Sequence, residues 1–422
     1  MADLQIQGKK IALLDSSNNT VYTLPDSAGS SGNAIVADGS GRLDFGGISL
    51  DAVLAAGDSS SRNLKVNKLK VDVLDVGSLI DKKTSFFPGD TEGYISGGLR
   101  QTTLISSNSP PNFTNAIQKF PFATDANAVG AGFLTQSRDQ ATGHSSTSHG
   151  YTAGGQTSLM PAFNDGTGSN TIDKFPFAVG GGAATDVGDL DVQFGKQRAA
   201  AISTTGYGIS AVGQVLRMLA PDHPNFPNAQ YHFTQVDKFP FATDTNATNV
   251  GDMDTGTNWG AGYFSGSHGY ISSSFYPSAA DIRKFPTASE LVTQGVGFLS
   301  VDRQYALMGN GISSDTHGYN AGGYAEPANA NDFKNIIDKF PFAADTNSQD
   351  VGDLTVSRAF SGGLSSTTNG YVAGGKDINS PFVSVANFQD NTIDKFPFAT
   401  DANATDVGNL VTDRTNIATQ QV

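Results

Sequence analysis

The stretch that decides the fold runs from Arg358 to Arg414. It opens Arg358-Ala-Phe-Ser-Gly-Gly-Leu364 and continues Asn369-Gly-Tyr-Val-Ala-Gly-Gly375. Asn391-Thr-Ile-Asp-Lys-Phe-Pro-Phe398 and Asp406-Val-Gly-Asn-Leu410 follow. Each short apolar run is fenced by Gly, Asn, Ser or Pro, which is the punctuation of strands. We read strand A at 358–364, strand B at 371–375, strand C at 391–395 and a short strand D at 406–410. Asn369-Gly370 is expected to turn A into B, because both residues tolerate the positive φ of a type I′ hairpin. Strand C must end near Pro397, which has no N–H for the ladder.

The same order recurs along the chain. Lys-Phe-Pro occurs six times, bringing Phe120, Phe175, Phe239, Phe285, Phe340 and Phe396 to one position, with spacings of 55, 64, 46, 55 and 56 residues. A Gly-Tyr pair precedes each, at Tyr94, Tyr151, Tyr207, Tyr270, Tyr319 and Tyr371. A Val-Gly-type element follows each, centred on Gly130, Gly188, Gly251, Gly297, Gly352 and Gly408. Four strands repeated six times predict an all-β, six-bladed β-propeller. The first copy has no strand A before Gly93, and the last runs on beyond Leu410. Residues 414–420 are therefore expected to complete the first blade and close the ring. Closure removes sheet edges that invite aggregation. The alanine and glycine content of the A segments (Ala199-Ala-Ala201, Gly362-Gly363) suits strands crowded around an axis. Phe175 and Phe177, two apart, share a strand face, and burying each is worth about 2–3 kcal/mol.

Tyr371-Val-Ala-Gly-Gly375, a strand ending Phe396-Pro-Phe398, and Leu410 followed four residues later by Arg414 resemble the kelch repeat. The resemblance spans roughly residues 85–422. It implies a blade with Gly-Gly after strand B and an Arg leading into an inner strand A. Lys-Phe-Pro-Phe stands where that repeat usually has Tyr-Asp-Pro, and the repeat's Trp is absent: the single Trp, Trp259, lies elsewhere. In place of Gly-Gly, the third copy reads Tyr207-Gly-Ile-Ser-Ala-Val-Gly213 and the fourth has Ser272-Ser-Ser274.

Residues 1–84 carry none of these markers and form a separate β segment, leaving 85–422 to the propeller. Residues 5–13 and 20–24 read as strands around the turn Asp15–Asn19, and 37–43 as a further turn and strand. So few apolar residues make a poor core alone, so help from another chain is expected. Tyr22-Thr-Leu-Pro25, Ser31-Gly-Asn-Ala-Ile-Val-Ala-Asp-Gly-Ser-Gly-Arg-Leu43 and the run from Leu50 to Val66 resemble segments of marine bacteriophage tail-fibre and appendage proteins. The resemblance implies a virion protein, often trimeric. Its N-terminal segment would attach to other virion proteins, and its distal part would face a host-surface glycan or protein.

Composition narrows the partners. The 422 residues carry a net charge of −14, which disfavours nucleic acid and anionic membrane surfaces. No run approaches the length of a membrane span. The absence of Cys removes disulfides, thiolate zinc sites and a Cys nucleophile. No nucleophile elbow, His-Glu-x-x-His or phosphate loop occurs, so no catalytic residues, cofactor or metal are assigned. A glycan-cleaving propeller, with carboxylates converging from distant blades, is the enzymatic alternative. Two motifs invite metal. His149, His268 and His317 precede Gly-Tyr, but Glu92, Thr205 and Asn369 stand there in other copies, so they are read as turn residues that tolerate a left-handed backbone. The Asp-x-Asn runs at Asp125, Asp244 and Asp401 offer oxygens to Ca²⁺, but fit a turn stabilised by side-chain hydrogen bonds. Arg138, Arg303, Arg358 and Arg414 each follow the D-strand Leu by four residues, with Arg198 shifted and Thr257 in place of Arg. This pattern predicts structural ion pairs or carbonyl contacts, with a receptor-carboxylate clamp as the alternative.

The clearest functional signal is uneven loop length. From Gly-Tyr's Tyr to Lys-Phe-Pro's Lys there are 25, 23, 31, 14, 20 and 24 residues, whereas the C–D connections span 11 to 14. One rim is fixed and the other is free to specialise. The longest B–C loop supplies Pro221, His223, Phe226, Tyr231 and His232 as candidate receptor contacts. Phe113, Phe163, Tyr324 and Phe382 come from the other B–C loops and belong to the same rim. The expectation is a virion appendage that recognises a host receptor without chemistry. The alternative is an architectural collar, neck or capsid-decoration protein.

Overall fold

The computed structural model describes residues 89–100, 112–157, 168–177, 182–192, 195–218, 228–254, 259–272, 280–288, 291–307, 309–325, 333–377 and 390–422, and the backbone of six N-terminal strands. The chain divides into two compact units, Met1–Lys82 and Lys83–Val422. In the first, Thr20–Thr23, Lys10–Leu14 and Asp3–Gln7 form an antiparallel sheet that Leu69–Lys70 extends in parallel. Residues 5–13 thus belong to two paired strands. Val36–Ala37 pairs with Leu43–Asp44.

The second unit is a six-bladed β-propeller. Blade 1 combines the C-terminal strand Ala418–Gln421 with Glu92–Ser96, Ala116–Pro121 and Val129–Phe133. Chain closure therefore falls where the missing A strand predicted it. Strands A to D of blade 2 are Thr142–Ser145, His149–Ala153, Thr171–Pro176 and Thr185–Asp189. Blade 3 has Ala200–Ser203, Tyr207–Ala211, Gln235–Pro240 and Thr248–Asp252, and blade 4 has Ala261–Phe264, His268–Ser272, Asp281–Pro286 and Gln294–Phe298. Blade 5 has Ile312–Ser313, His317–Ala321, Ile336–Pro341 and Gln349–Asp353, and blade 6 has Gly362–Ser365, Asn369–Ala373, Thr392–Pro397 and Thr405–Asn409. Every C strand ends on its Pro.

The repeated residues are inter-blade packing. Tyr94 lies on Phe175 and Phe177 of the next blade, and its hydroxyl, which donates to Glu92 Oε2 at 2.7 Å, lies 3.2 Å from the Phe177 carbonyl. Tyr151, Tyr270, Tyr319 and Tyr371 meet the Phe pair of their neighbours in the same way. The glycine before each Tyr lies beneath its own blade's Phe: a Cβ on Gly150 would sit 2.4 Å from the Phe175 ring.

This rule corrects the reading of blade 3. Gly208, not Gly206, pairs with Phe239, so Ile209 fills the buried Tyr position and Tyr207 is 43% exposed at the strand entry. The neighbouring blade 4 has Thr287 where other blades have the second Phe, so there is no ring for a Tyr to stack on. In blade 1 the C–D marker is likewise Gly132 rather than Gly130, because Gly132 pairs with Ile117 as Gly188 does with Ile172. Every C–D pair bulges there.

Two local expectations also change. Strand A of blade 6 starts at Gly362, because Arg358–Ala359 leaves the sheet to pair with Lys376–Asp377. Asn369 opens strand B, and the turn before it is held by Ser366, whose Oγ accepts the Asn369 amide at 2.9 Å. His149, His268 and His317 occupy that same strand position without left-handed φ. Their rings bond Ser148, Ser267 and Thr316 at 2.8–2.9 Å.

The axis is filled. Blade 5 has three extra residues between Arg303 and Gly318, compared with the interval from Arg358 to Gly370. They let Gly309–Asn310 pair in parallel with strand A of blade 4. The Asn310 side chain then reaches blade 2, where it bonds both the amide and the carbonyl of Gly143.

Candidate functional site at the axial mouth

The two rims are built differently. On the C–D rim, contacts repeat from blade to blade. Lys174, Lys284 and Lys339 pair with Asp244, Asp345 and Asp401 of the next blade at 2.7–2.9 Å, and Lys395 pairs with Asp125. Two residues on, Asn246, Asn347, Asn403 and Asn127 accept backbone amides of the preceding blade at 2.9–3.1 Å. The Asp-x-Asn runs thus join blades. Among the described residues no three His, Asp or Glu side chains come together as a metal-ligand set.

On the other rim, five of the six D-to-A links pair with the start of a B–C loop among the described residues. The pairs are Asp139 with Gln156, Gln197 with Gln214, Gln304 with Tyr324, Ala359 with Lys376 and Thr415 with Leu99. The buried arginines anchor these links from behind. Arg138 reaches Asp173 at 2.8 Å, Arg303 reaches Asp338 at 2.9 Å and Arg358 reaches Asp394 at 2.8 Å. Blade 1 has Gln118 where blades 2, 5 and 6 have the acid, and Arg414 donates to the carbonyls of Gly97 and Ala116 at 3.1 and 2.9 Å. In blade 3 the role passes to Lys196, which pairs with Asp237 at 2.6 Å. Arg198 is therefore not the displaced member of this set. In blade 4 the charges are exchanged: strand C carries Arg283, which pairs with Asp254 of the incoming link. Thr257 lies outside the described residues. With exposures of 0–1%, Arg138, Arg303, Arg358 and Arg414 are structural rather than a surface clamp.

One residue beyond each link pair lies the part that sequence reading missed. Gln140, Arg198, Trp259, Tyr305, Phe360 and Asn416 occupy one equivalent position per blade, and all six have φ between 56° and 63°. A non-glycine residue there is uncommon and costs roughly 1–2 kcal/mol. Hydrogen bonds between these residues hold the conformation. The amides of Trp259, Arg198, Gln140, Asn416 and Phe360 donate to the carbonyls of Arg198, Gln140, Asn416, Phe360 and Tyr305, at 2.7–3.0 Å. Five bonds thus string the six residues head to tail around the axial mouth.

The side chains divide the mouth in two. From blades 4 to 6, Tyr305 and Phe360 stack at 5.0 Å, and Trp259 meets both edge-on at 4.9 and 5.5 Å. From blades 1 to 3 come Asn416, Gln140 and Arg198. The Arg198 guanidinium lies 3.9 Å from the Trp259 ring centre, and its Nε donates to Gln140 Oε1 at 2.6 Å. Behind them Asp139 is 2% exposed, and its Oδ2 accepts from Asn416 at 3.1 Å and Gln140 at 3.3 Å. Burial pushes the Asp139 carboxyl up to about 7 and lowers Arg198 to about 10. Arg198 keeps its charge at neutral pH. His232 is held below its ordinary value by partial burial and by the Arg198 charge.

Of the rim residues chosen from sequence, Pro221, His223, Phe226, Phe163 and Phe382 lie outside the described residues. The blade 3 loop is a β-ribbon, Gln214–Met218 paired with Asn228–His232, which carries Tyr231 on its backbone and places His232 exposed near its base. Phe113 is half-buried and bridges Leu99. Tyr324 is not displayed: it is 7% exposed, packed on Phe333 beneath Tyr305 and Phe360. A single clue to the ring was in the sequence. The residue two after the link position held by Thr257, Arg303 and Arg358 is aromatic in three successive copies (Trp259, Tyr305, Phe360), and in no copy is it Gly.

No protein-family model matches this sequence, and no curated protein matches it.

Proposed function

We propose that this chain is a bacteriophage virion appendage protein whose propeller recognises a host-surface glycan or protein without chemistry. The reading rests on one contrast: blade-to-blade bonds repeat on the C–D rim, while loop length and side-chain chemistry vary on the rim that holds the axial mouth. Variation confined to one face suits a binding surface on a rigid scaffold. The fibre-like motifs of residues 1–84 support attachment to other virion proteins and trimerisation through that segment. The test is immunogold labelling of intact virions with an antibody to the propeller, combined with host-adsorption blocking. Gold at distal appendages with blocked adsorption is the expected result. Release of reducing sugar from host polysaccharide would replace binding with catalysis.

A second reading, an architectural collar or decoration protein, draws on a different feature. Phe133 and Phe298 end the outer strands of opposite blades 1 and 4 and are 58% and 52% exposed, whereas the other four blades carry Asp or Asn there. Exposed aromatics on outer edges suit lateral packing against other virion proteins. Gold at the neck or capsid, with adsorption unaffected, would favour it.

A further inference from the structure

The geometry points to the axial mouth as a binding site for a small carboxylate ligand that carries a flat apolar face. Arg198 is held on one side by the Trp259 ring and at Nε by Gln140. Neither of its terminal nitrogens has a hydrogen-bond partner among the described residues. A guanidinium fixed in this way presents two parallel donors, and a carboxylate is the group that accepts both. Asp139 supplies nearby negative charge but no hydrogen bond to Arg198, so the fork stays open.

The apolar requirement comes from the other half of the ring. Tyr305 and Phe360 are half-buried and nearly parallel, with 21° between their planes, and they adjoin Trp259. A ligand docked on the Arg198 fork therefore lies alongside aromatic surface. A flat face of C–H groups or an aromatic ring gains there, whereas a bare carboxylate gains only the fork. Two kinds of molecule share this chemistry: an acidic pyranose sugar and an aromatic acid. The assignment rests on the binding role proposed for this rim, under which an acidic sugar of a surface glycan is the relevant source.

The single tryptophan, Trp259, is the reporter. The full chain is titrated with D-glucuronate, benzoate, acetate and glucose while its tryptophan fluorescence is followed. We expect a saturable change with glucuronate or benzoate at concentrations at least tenfold below those acetate needs, and no saturation with glucose. Response to glucuronate identifies the sugar, and response to benzoate alone identifies the aromatic acid. Equal response to acetate or glucose, or no saturation with any of the four, overturns the site. Arg198→Lys keeps the charge but loses the fork and should weaken binding at least fivefold. Unchanged binding in this variant overturns the assignment to Arg198. Adsorption separates the two levels of the argument. If glucuronate binds but does not compete with adsorption, the recognition role fails and the site stands. If the propeller antibody blocks adsorption but no acid binds, the site fails and the role stands.

Discussion

Asn310 and Gly143, from opposite blades 5 and 2, hold each other across the propeller axis. The Asn310 Oδ1 accepts the Gly143 amide at 3.2 Å, and its Nδ2 donates to the Gly143 carbonyl at 2.8 Å. The axis is therefore braced by a side chain. Asn310→Ala leaves two polar backbone groups in a crowded centre without partners, which costs about 1–3 kcal/mol each at most. Urea denaturation should show that loss.

Truncation before Ala418 removes strand A of blade 1. Glu92–Ser96 then becomes an unpaired edge inside the ring. The expected outcome is loss of cooperative unfolding together with aggregation, read by size-exclusion chromatography and near-UV circular dichroism.

The buried arginines should not be equivalent. Arg358 neutralises Asp394 and Asp390, so Arg358→Met strands buried or partly buried carboxylates and should cost about 3–5 kcal/mol. Arg414 bonds two carbonyls and the Thr412 hydroxyl, and the strand C position that holds an acid in blades 2, 5 and 6 is Gln118 in its blade. Arg414→Met should cost less, about 1–3 kcal/mol. Denaturation of the two variants side by side checks the order.

Glycine substitutions test the register of blade 3. A Cβ on Gly208 would lie 2.3 Å from the Phe239 ring, whereas nothing lies within 4 Å of one on Gly206. Gly208→Ala should destabilise by about 1–3 kcal/mol. Gly206→Ala should be close to neutral. The reverse order in thermal melts would restore the Gly206-Tyr207 alignment.

Asp139 predicts a pH dependence. Burial raises its carboxyl from 3.8 to about 7, and the hydrogen bonds from Asn416 and Gln140 and the Arg198 charge offset only part of that. Between these values the unfolded chain has released a proton that the folded chain keeps. Stability therefore falls as pH rises from about 4 to about 7, by about 4 kcal/mol, and levels off above. Asp139→Asn removes this slope. The variant should be more stable than the parent at pH 8, and the advantage should vanish near pH 3.5. Denaturation at both pH values measures it.

What was legible in the sequence is what repeats. Lys-Phe-Pro, Gly-Tyr and the orphan strand at the C-terminus specify six blades and their closure, because each marker does the same mechanical job six times. Errors arose where a marker was matched by letters rather than by contact. Gly206-Tyr207 has the right letters, but only Gly208 lies under Phe239. The buried acids were passed over for a related reason. Asp173, Asp237, Asp338 and Asp394 look like ordinary charges until Arg283 replaces one of them and Asp254 appears opposite. The axial ring was hidden more deeply, since Gln, Arg, Trp, Tyr, Phe and Asn share no side-chain chemistry. What they share is a backbone angle, and that angle is imposed by neighbours dozens of residues away in sequence.

That sharing has an evolutionary consequence. At positions 140, 198, 259, 305, 360 and 416 the main chain is held by its neighbours' peptide groups, so the side chain contributes little to keeping the backbone in place. Each position behaves like an interchangeable bit in a fixed chuck. Point substitutions can exchange ring for amide, or amide for guanidinium, one blade at a time, and the frame keeps its shape. A lineage facing a changing target would retool here first, without revising a single blade.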